Sequence, residues 1–235
     1  MLPMMLWARG EERRLSDLPA PLPLAALVPG EGPWEIEIGF GKGRELMRRA
    51  ESVPERRFLG IEMVSRYYRM VRDRAARRGL GNLLLIRGEA LYLLAVAIEP
   101  GLAAAVHVYF PDPWPKSRHH KRRLVDPESV DLVLRLLAPD GTLYFATDCV
   151  DYGDEAEAIL REQPGIVVHR LSGGWPEGPR TNYEAKYMRE GRSIVRLVAR
   201  RAGTAELPLH PAGRGRVLVA AGIATDDAGA EASGA

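Results

Sequence analysis

Two stretches of the chain hold residue types arranged for chemistry. The first is Glu37-Ile38-Gly39-Phe40-Gly41-Lys42-Gly43, three alternate glycines behind a carboxylate. Glycines in such a turn let the backbone approach a ligand closely, because a side chain would occupy the same space. The spacing is Gly-x-Gly-x-Gly, without the Gly-Lys-Ser/Thr ending of a phosphate-cradling loop, and Arg44 stands where a dinucleotide site has its third glycine. Glu37 would repel a pyrophosphate and attract a cation. S-adenosylmethionine, with a sulfonium, an ammonium and no phosphate, suits this turn; an ordinary tight turn is the plainer alternative. Downstream, Phe58-Leu59-Gly60-Ile61-Glu62 ends in a carboxylate 23 positions after Gly39, close to the roughly 20-residue separation at which an acidic side chain meets ribose hydroxyls. Glu62 is therefore the candidate ribose ligand, against the alternative of a surface residue capping the next helix. In Arg87-Gly88-Glu89-Ala90, Glu89 is placed to meet an adenine edge.

The second stretch is Pro111-Asp112-Pro113-Trp114-Pro115-Lys116. Its prolines fix backbone angles and hold Asp112 and Trp114 in one geometry. A ring beside a carboxylate suits a nucleobase, which stacks on the one and donates ring N–H groups to the other. The loop runs directly into Lys-Ser-Arg-His-His-Lys-Arg-Arg over 116–123, five fixed positive charges in eight residues with no carboxylate among them. Such a field suits phosphates, although a basic run is often only a solvated loop.

Both loops need a scaffold, and the hydrophobic pattern supplies one. Residues 34–38, 58–61, 83–86, 104–110 and 142–146 read as strands, alternating with helical patterns over 44–50, 65–78, 91–98 and 127–137. This alternation predicts a parallel sheet with helices on both faces, carrying the loops at its carboxyl edge. A helix over 154–161 and strands over 166–170 and 193–200 would complete the sheet at seven strands. Residues 1–33, with six prolines, read as a mostly irregular or extended lead-in, residues 34–201 as the domain, and residues 202–235 as an Ala/Gly-rich extension, partly disordered.

Composition narrows the classes. With 46% hydrophobic and 27% charged residues the chain is an ordinary globular protein. Cys149 is its one cysteine, so an intrachain disulfide and a cysteine-rich zinc site are excluded. No metal is expected. Charges or prolines interrupt every apolar run before membrane-spanning length, and the N-terminus reads poorly as a signal peptide, so a cytoplasmic location is expected. The net charge of +2 conceals a more basic body, because residues 202–235 hold four carboxylates against two arginines. His107 and Cys149 read as packed residues, and the arginines from Arg66 to Arg78 as a solvated helix face or an auxiliary RNA contact.

The motifs Glu-Ile-Gly-Phe-Gly-Lys-Gly, Gly-Ile-Glu at 60–62, Phe-Pro-Asp-Pro-Trp-Pro-Lys at 110–116, Arg-His-His-Lys-Arg-Arg at 118–123, Ala-Thr-Asp at 146–148 and Thr-Asn-Tyr-Glu at 181–184 together resemble the bacterial tRNA (guanine-N7-)-methyltransferases. The resemblance covers about residues 34–200. It implies a Rossmann-like class I methyltransferase with a mostly parallel seven-stranded sheet, using S-adenosylmethionine to methylate a guanine of the tRNA variable loop. By position it implies cofactor contacts from Glu37, Gly39, Gly41, Gly43, Glu62, Glu89 and Asp112, with Asp112 also catalytic. Lys116, Asp148, Thr181, Asn182, Tyr183 and Glu184 become substrate-binding, and Arg118, His119, His120, Lys121, Arg122 and Arg123 RNA-contacting. Glu89 departs from the Asp or Asn frequent there. Guanine N7 carries a lone pair and no proton, so Asp112 would orient the base and stabilise developing charge, while Asp148 and Glu184 would accept from its Watson-Crick edge. The rivals are a nicotinamide-dependent oxidoreductase, disfavoured by the glycine spacing and Glu37, and a catalytically silent RNA-binding module. The oligomeric state, monomer or homodimer, stays open.

Overall fold

The computed structural model describes residues 4–114 and 122–203. Nine strands, β1 (Met5–Ala8), β2 (Glu11–Arg14), β3 (Trp34–Ile38), β4 (Arg57–Glu62), β5 (Leu83–Arg87), β6 (Ala103–Tyr109), β7 (Leu137–Thr147), β8 (Ile166–Arg170) and β9 (Val195–Arg201), form one sheet in the order β2-β1-β5-β4-β3-β6-β7-β9-β8. The helices are α1 (Leu24–Leu27), α2 (Arg44–Ser52), α3 (Ser65–Arg77), α4 (Ala90–Val96), α5 (Val130–Leu134), α6 (Val150–Arg161) and α7 (Asn182–Arg189). Strands β5, β4, β3, β6 and β7 run parallel, and β9 and β8 close one edge antiparallel. The seven strands β3 to β9 and the helices α2 to α6 are those expected, while α1 and α7 are additional.

The other edge is a correction. The lead-in is irregular only in part: β1 and β2 form a hairpin, and β1 pairs antiparallel with β5, extending the sheet to nine strands. Its two-residue loop, Arg9-Gly10, has both φ angles positive (52° and 88°), the geometry whose twist matches paired strands. Glu12 of β2 then accepts from Tyr68 Oη and Arg72 of α3, fastening the hairpin to the body.

Strand alternation distributes the core. Trp34, Ile36, Ile38, Leu84 and Ile86 face one cluster with residues of α4, α5 and α6, while Phe58, Leu83 and Leu85 meet α2 and α3 on the opposite face. Between these strands, β3 sits at the switch point: β4 continues on one side and β6 starts the other. The turns leaving β3 and β6 therefore lie side by side, where open α/β sheets bind ligands. No helix among the described residues is long and apolar enough to cross a membrane.

Candidate active site

The turn after β3 is held by the strand beside it. Glu62, at the end of β4, accepts the Gly41 N–H at 2.8 Å with one oxygen and the Val64 N–H at 2.7 Å with the other. Gly41 has φ +51°, and a Cβ there would point into open space, so a side chain would fill the cradle. At Gly43 the constraint is packing, since a Cβ would stand 2.7 Å from Val71 and its bareness lets the turn close on α3. Gly39 completes the turn, its N–H donating to Ile61 O at 2.8 Å.

Glu37 lies one residue inside this turn's strand and is buried, with Oε2 lacking any hydrogen-bond partner. Burial first, then the neighbouring Glu45 charge, push its carboxyl well above the ordinary range. A buried acid with an unanswered oxygen beside a glycine cradle is complementary to a cation. The residues present thus fit S-adenosylmethionine. Glu89 stands at the end of β5 as expected, yet its two oxygens accept Leu91 N–H and Tyr92 N–H at 3.0 and 2.7 Å. The helix-capping role that was the alternative for Glu62 falls to Glu89.

The loop after β6 is pinned on several sides. Phe110 N–H donates to Ala146 O at 2.7 Å, and Phe110 and Trp114 both adopt left-handed φ angles, 52° and 40°. Non-glycine residues occupy that region only when their surroundings hold them there. Asp112, between them, is exposed. Arg122 lies 4.9 Å over the Trp114 ring. Arg123 is different: it is buried, donates Nε–H to Pro113 O at 2.7 Å, pairs with Glu155 and covers the Tyr152 ring at 4.6 Å. Its guanidinium is occupied inside the protein, which corrects the expectation that it touches RNA. Lys116, Arg118, His119, His120 and Lys121 lie outside the described residues.

Asp148 follows β7 and is half-buried, 3.3 Å from Arg192 Nη1. The 181–184 segment begins α7. Thr181 Oγ1 accepts the Glu184 N–H at 3.0 Å, and Glu184 reaches back to the Arg180 N–H at 2.8 Å, a variant of the capping box. The other Glu184 oxygen takes Arg196 Nε–H at 2.7 Å, and the residue has no exposure. Fully buried under the start of α7 and paired with Arg196, Glu184 presents no surface to a guanine edge, which corrects that assignment. Asn182 and Tyr183 are exposed on the same helix start. The Tyr183 ring lies 6.4 Å from that of Phe110 at the start of the Asp112 loop, and its hydroxyl is pushed up first by the neighbouring Tyr67 of α3.

Behind these loops lies a buried polar seam. In Trp-Glu-Ile-Glu-Ile, Glu35 and Glu37 are both buried beneath α2. Glu35 pairs with Arg49 and Arg56 and with His107 Nε2 at 3.3 Å. Burial alone would raise its carboxyl, but His107 and Arg49 together outweigh that and hold it below the ordinary range. His107 is a packed residue as expected, its pKa lowered by burial, and its Nδ1 meets Tyr109 Oη at 2.8 Å. Tyr109 Oη also accepts from Arg180 Nη1 at 2.7 Å. None of Glu35, Glu45, Tyr109 or Arg180 was singled out by the sequence. The one available signal was Thr181-x-x-Glu184, which is capping-box spacing.

A family of putative methyltransferases matches residues 31–197. The chain is 38% identical over 182 residues to a tRNA (guanine-N(7)-)-methyltransferase of Nitrosococcus oceani, covering 77% of each chain. It is 40% identical over 177 residues to one of Leifsonia xyli, covering 74% of this chain and 76% of that one. The chain belongs to the tRNA (guanine-N7-)-methyltransferase family. Solved structures agree on the fold of this family member. The 16S rRNA methyltransferase KamB aligns with a TM-score of 0.61 at 14% identity, over 84% of this chain and 99% of that one. A 16S rRNA (adenine(1408)-N(1))-methyltransferase variant of Catenulisporales acidiphilia, solved with its cosubstrate, aligns at 0.58 and 17% identity, over 87% and 100%. A class I methyltransferase fold and membership of a methyltransferase family rule out the oxidoreductase reading.

Proposed function

We propose that the protein transfers a methyl group from S-adenosylmethionine to N7 of a guanine in the variable loop of tRNA. The observation that carries this reading is the placement, at one switch point, of a glycine cradle backed by the unpaired Glu37 and a pinned loop presenting the exposed Asp112. Bound there, S-adenosylmethionine supplies an electrophilic methyl group. Glu37 holds the positive end of the cofactor, and Glu62, already ordering the glycine turn, holds the ribose. No residue need remove a proton, because guanine N7 has a lone pair free for bond formation. What remains is alignment and charge. Asp112, fixed between two left-handed residues, orients the base and stabilises positive charge as it moves to the purine. Asp148 accepts from the guanine Watson-Crick edge, where adenine presents the opposite donor pattern, and Asn182 and Tyr183 line the same side.

The basic segment 116–122 meets tRNA phosphates, with Lys116, Arg118, His119, His120, Lys121 and Arg122 as its contacts. A cytoplasmic location, where tRNA is processed, accords with this substrate. Labelled S-adenosylmethionine and an unmodified tRNA transcript, followed by reduction and aniline cleavage, test the reading. The expected result is cleavage at one variable-loop guanine; label elsewhere overturns the substrate site. A protein that binds both ligands without transferring label would instead be the silent RNA-binding module.

A further inference from the structure

Arg180 lies one residue before the α7 cap, and its surroundings come from five separate parts of the chain. Its guanidinium lies 4.1 Å from the Trp175 ring centre, 4.6 Å from that of Tyr144 and 5.9 Å from that of Tyr109. Nη1 donates to Tyr109 Oη at 2.7 Å, and Nη2 is 3.4 Å from Glu177. Nε is buried without a hydrogen bond, 3.9 Å from Glu45 in the first turn of α2, the helix that leaves the glycine turn. The side chain is only 10% exposed. Its backbone N–H is the donor that Glu184 uses to finish the α7 cap. One residue thus touches, through its side chain, the strand carrying the Asp112 loop and the helix carrying the cofactor turn. Through its backbone it touches the segment that presents Asn182 and Tyr183.

We propose that Arg180 is a positioning residue that fixes the base-side segment 181–184 relative to the cofactor turn and the Asp112 loop, so that acceptor nitrogen and methyl group are brought into line. The proposal rests on the methyltransferase reading above. A planar cation in an aromatic cage, with one short hydrogen bond and a carboxylate at each end, has little rotational freedom. Misplacement of about 1 Å at a transfer centre lowers the rate up to about a hundredfold. Loss of Arg180 should therefore act on alignment. Binding of tRNA, dominated by phosphate contacts elsewhere, should change little.

Steady-state kinetics of the full chain, with tRNA transcript and S-adenosylmethionine varied in turn, test this on Arg180→Met, Arg180→Lys and Tyr109→Phe. For Arg180→Met, kcat is expected to fall about 10- to 100-fold, with both KM values within about threefold of wild type. Arg180→Lys, which keeps the charge and the cage, regains part of the loss. Tyr109→Phe removes only the hydroxyl that accepts from Nη1 and gives a smaller fall in the same direction, and the double variant Tyr109→Phe/Arg180→Met loses no more than Arg180→Met. Unchanged kcat in both single variants overturns the proposal. So does a loss in which kcat, both KM values and the melting temperature worsen together, since that marks a merely structural residue. If Arg180→Met does not fold, Tyr109→Phe decides alone: a kcat equal to wild type refutes the role. A wild-type protein that binds the cofactor and methylates no tRNA would instead overturn the reading on which the proposal stands.

Discussion

The two halves of the cleft are built differently. On the cofactor side, carboxylates meet backbone N–H groups close in sequence or on the neighbouring strand: Glu62 with Gly41 and Val64, Glu89 with Leu91 and Tyr92. On the base side, side chains meet side chains of other elements: Arg180 with Tyr109, Arg123 with Glu155, Arg196 with Glu184. The first half is a property of turns and spacing. The second includes a buried ion pair, Arg196 with Glu184, and removing one member of it should harm stability more than removing a cofactor-side carboxylate.

The largest expected effect is on activity. Asp112→Asn removes a charge from an exposed side chain in a pinned loop, so kcat should fall by about two orders of magnitude while the melting temperature holds; full turnover with unchanged guanine preference would remove Asp112 from the mechanism. Next comes stability. Glu184→Ala leaves Arg196 buried without its carboxylate and opens the α7 cap, a loss of about 3–5 kcal/mol, measurable by urea unfolding. A stability equal to wild type, with only tRNA binding weakened, would return Glu184 to the guanine edge.

A third prediction concerns pH. Glu37 has its pKa raised in the folded protein, so it holds a proton at pH values where an exposed carboxyl has lost it. A cationic ligand selects the ionised form, so binding releases a proton. Cofactor affinity should then rise with pH above the ordinary carboxylate range and level off once Glu37 ionises unaided. Calorimetry across that range checks the slope, which Glu37→Gln should flatten; an unchanged slope would place the titrating group elsewhere. The smallest effects separate two adjacent arginines. Arg122→Ala should lower the salt slope of tRNA binding by about one and alter stability by less than about 0.5 kcal/mol. Arg123→Ala should destabilise the fold by about 1–3 kcal/mol.

Legibility in the sequence follows the same division. Strands β3 to β9 and most helices were readable because apolar periodicity and glycine turns are local signals. The N-terminal hairpin escaped because six prolines dominate residues 1–33, and its two-residue turn is Arg-Gly rather than the more familiar Asn-Gly. In β3 the partners are not local: Glu35 is buried against Arg49, Arg56 and His107, which nothing in the strand itself announces. The basic run 116–123 likewise carried no sign that Arg123 turns inward while Arg122 stays at the surface.

Replacing the variable-loop acceptor guanine with 7-deazaguanine tests the central claim most directly, because the Watson-Crick edge and the phosphates are kept while N7 becomes a C–H group. The account predicts that this tRNA binds about as tightly as the unmodified transcript and receives no methyl group. Transfer of label to the deaza tRNA at an undiminished rate would contradict it.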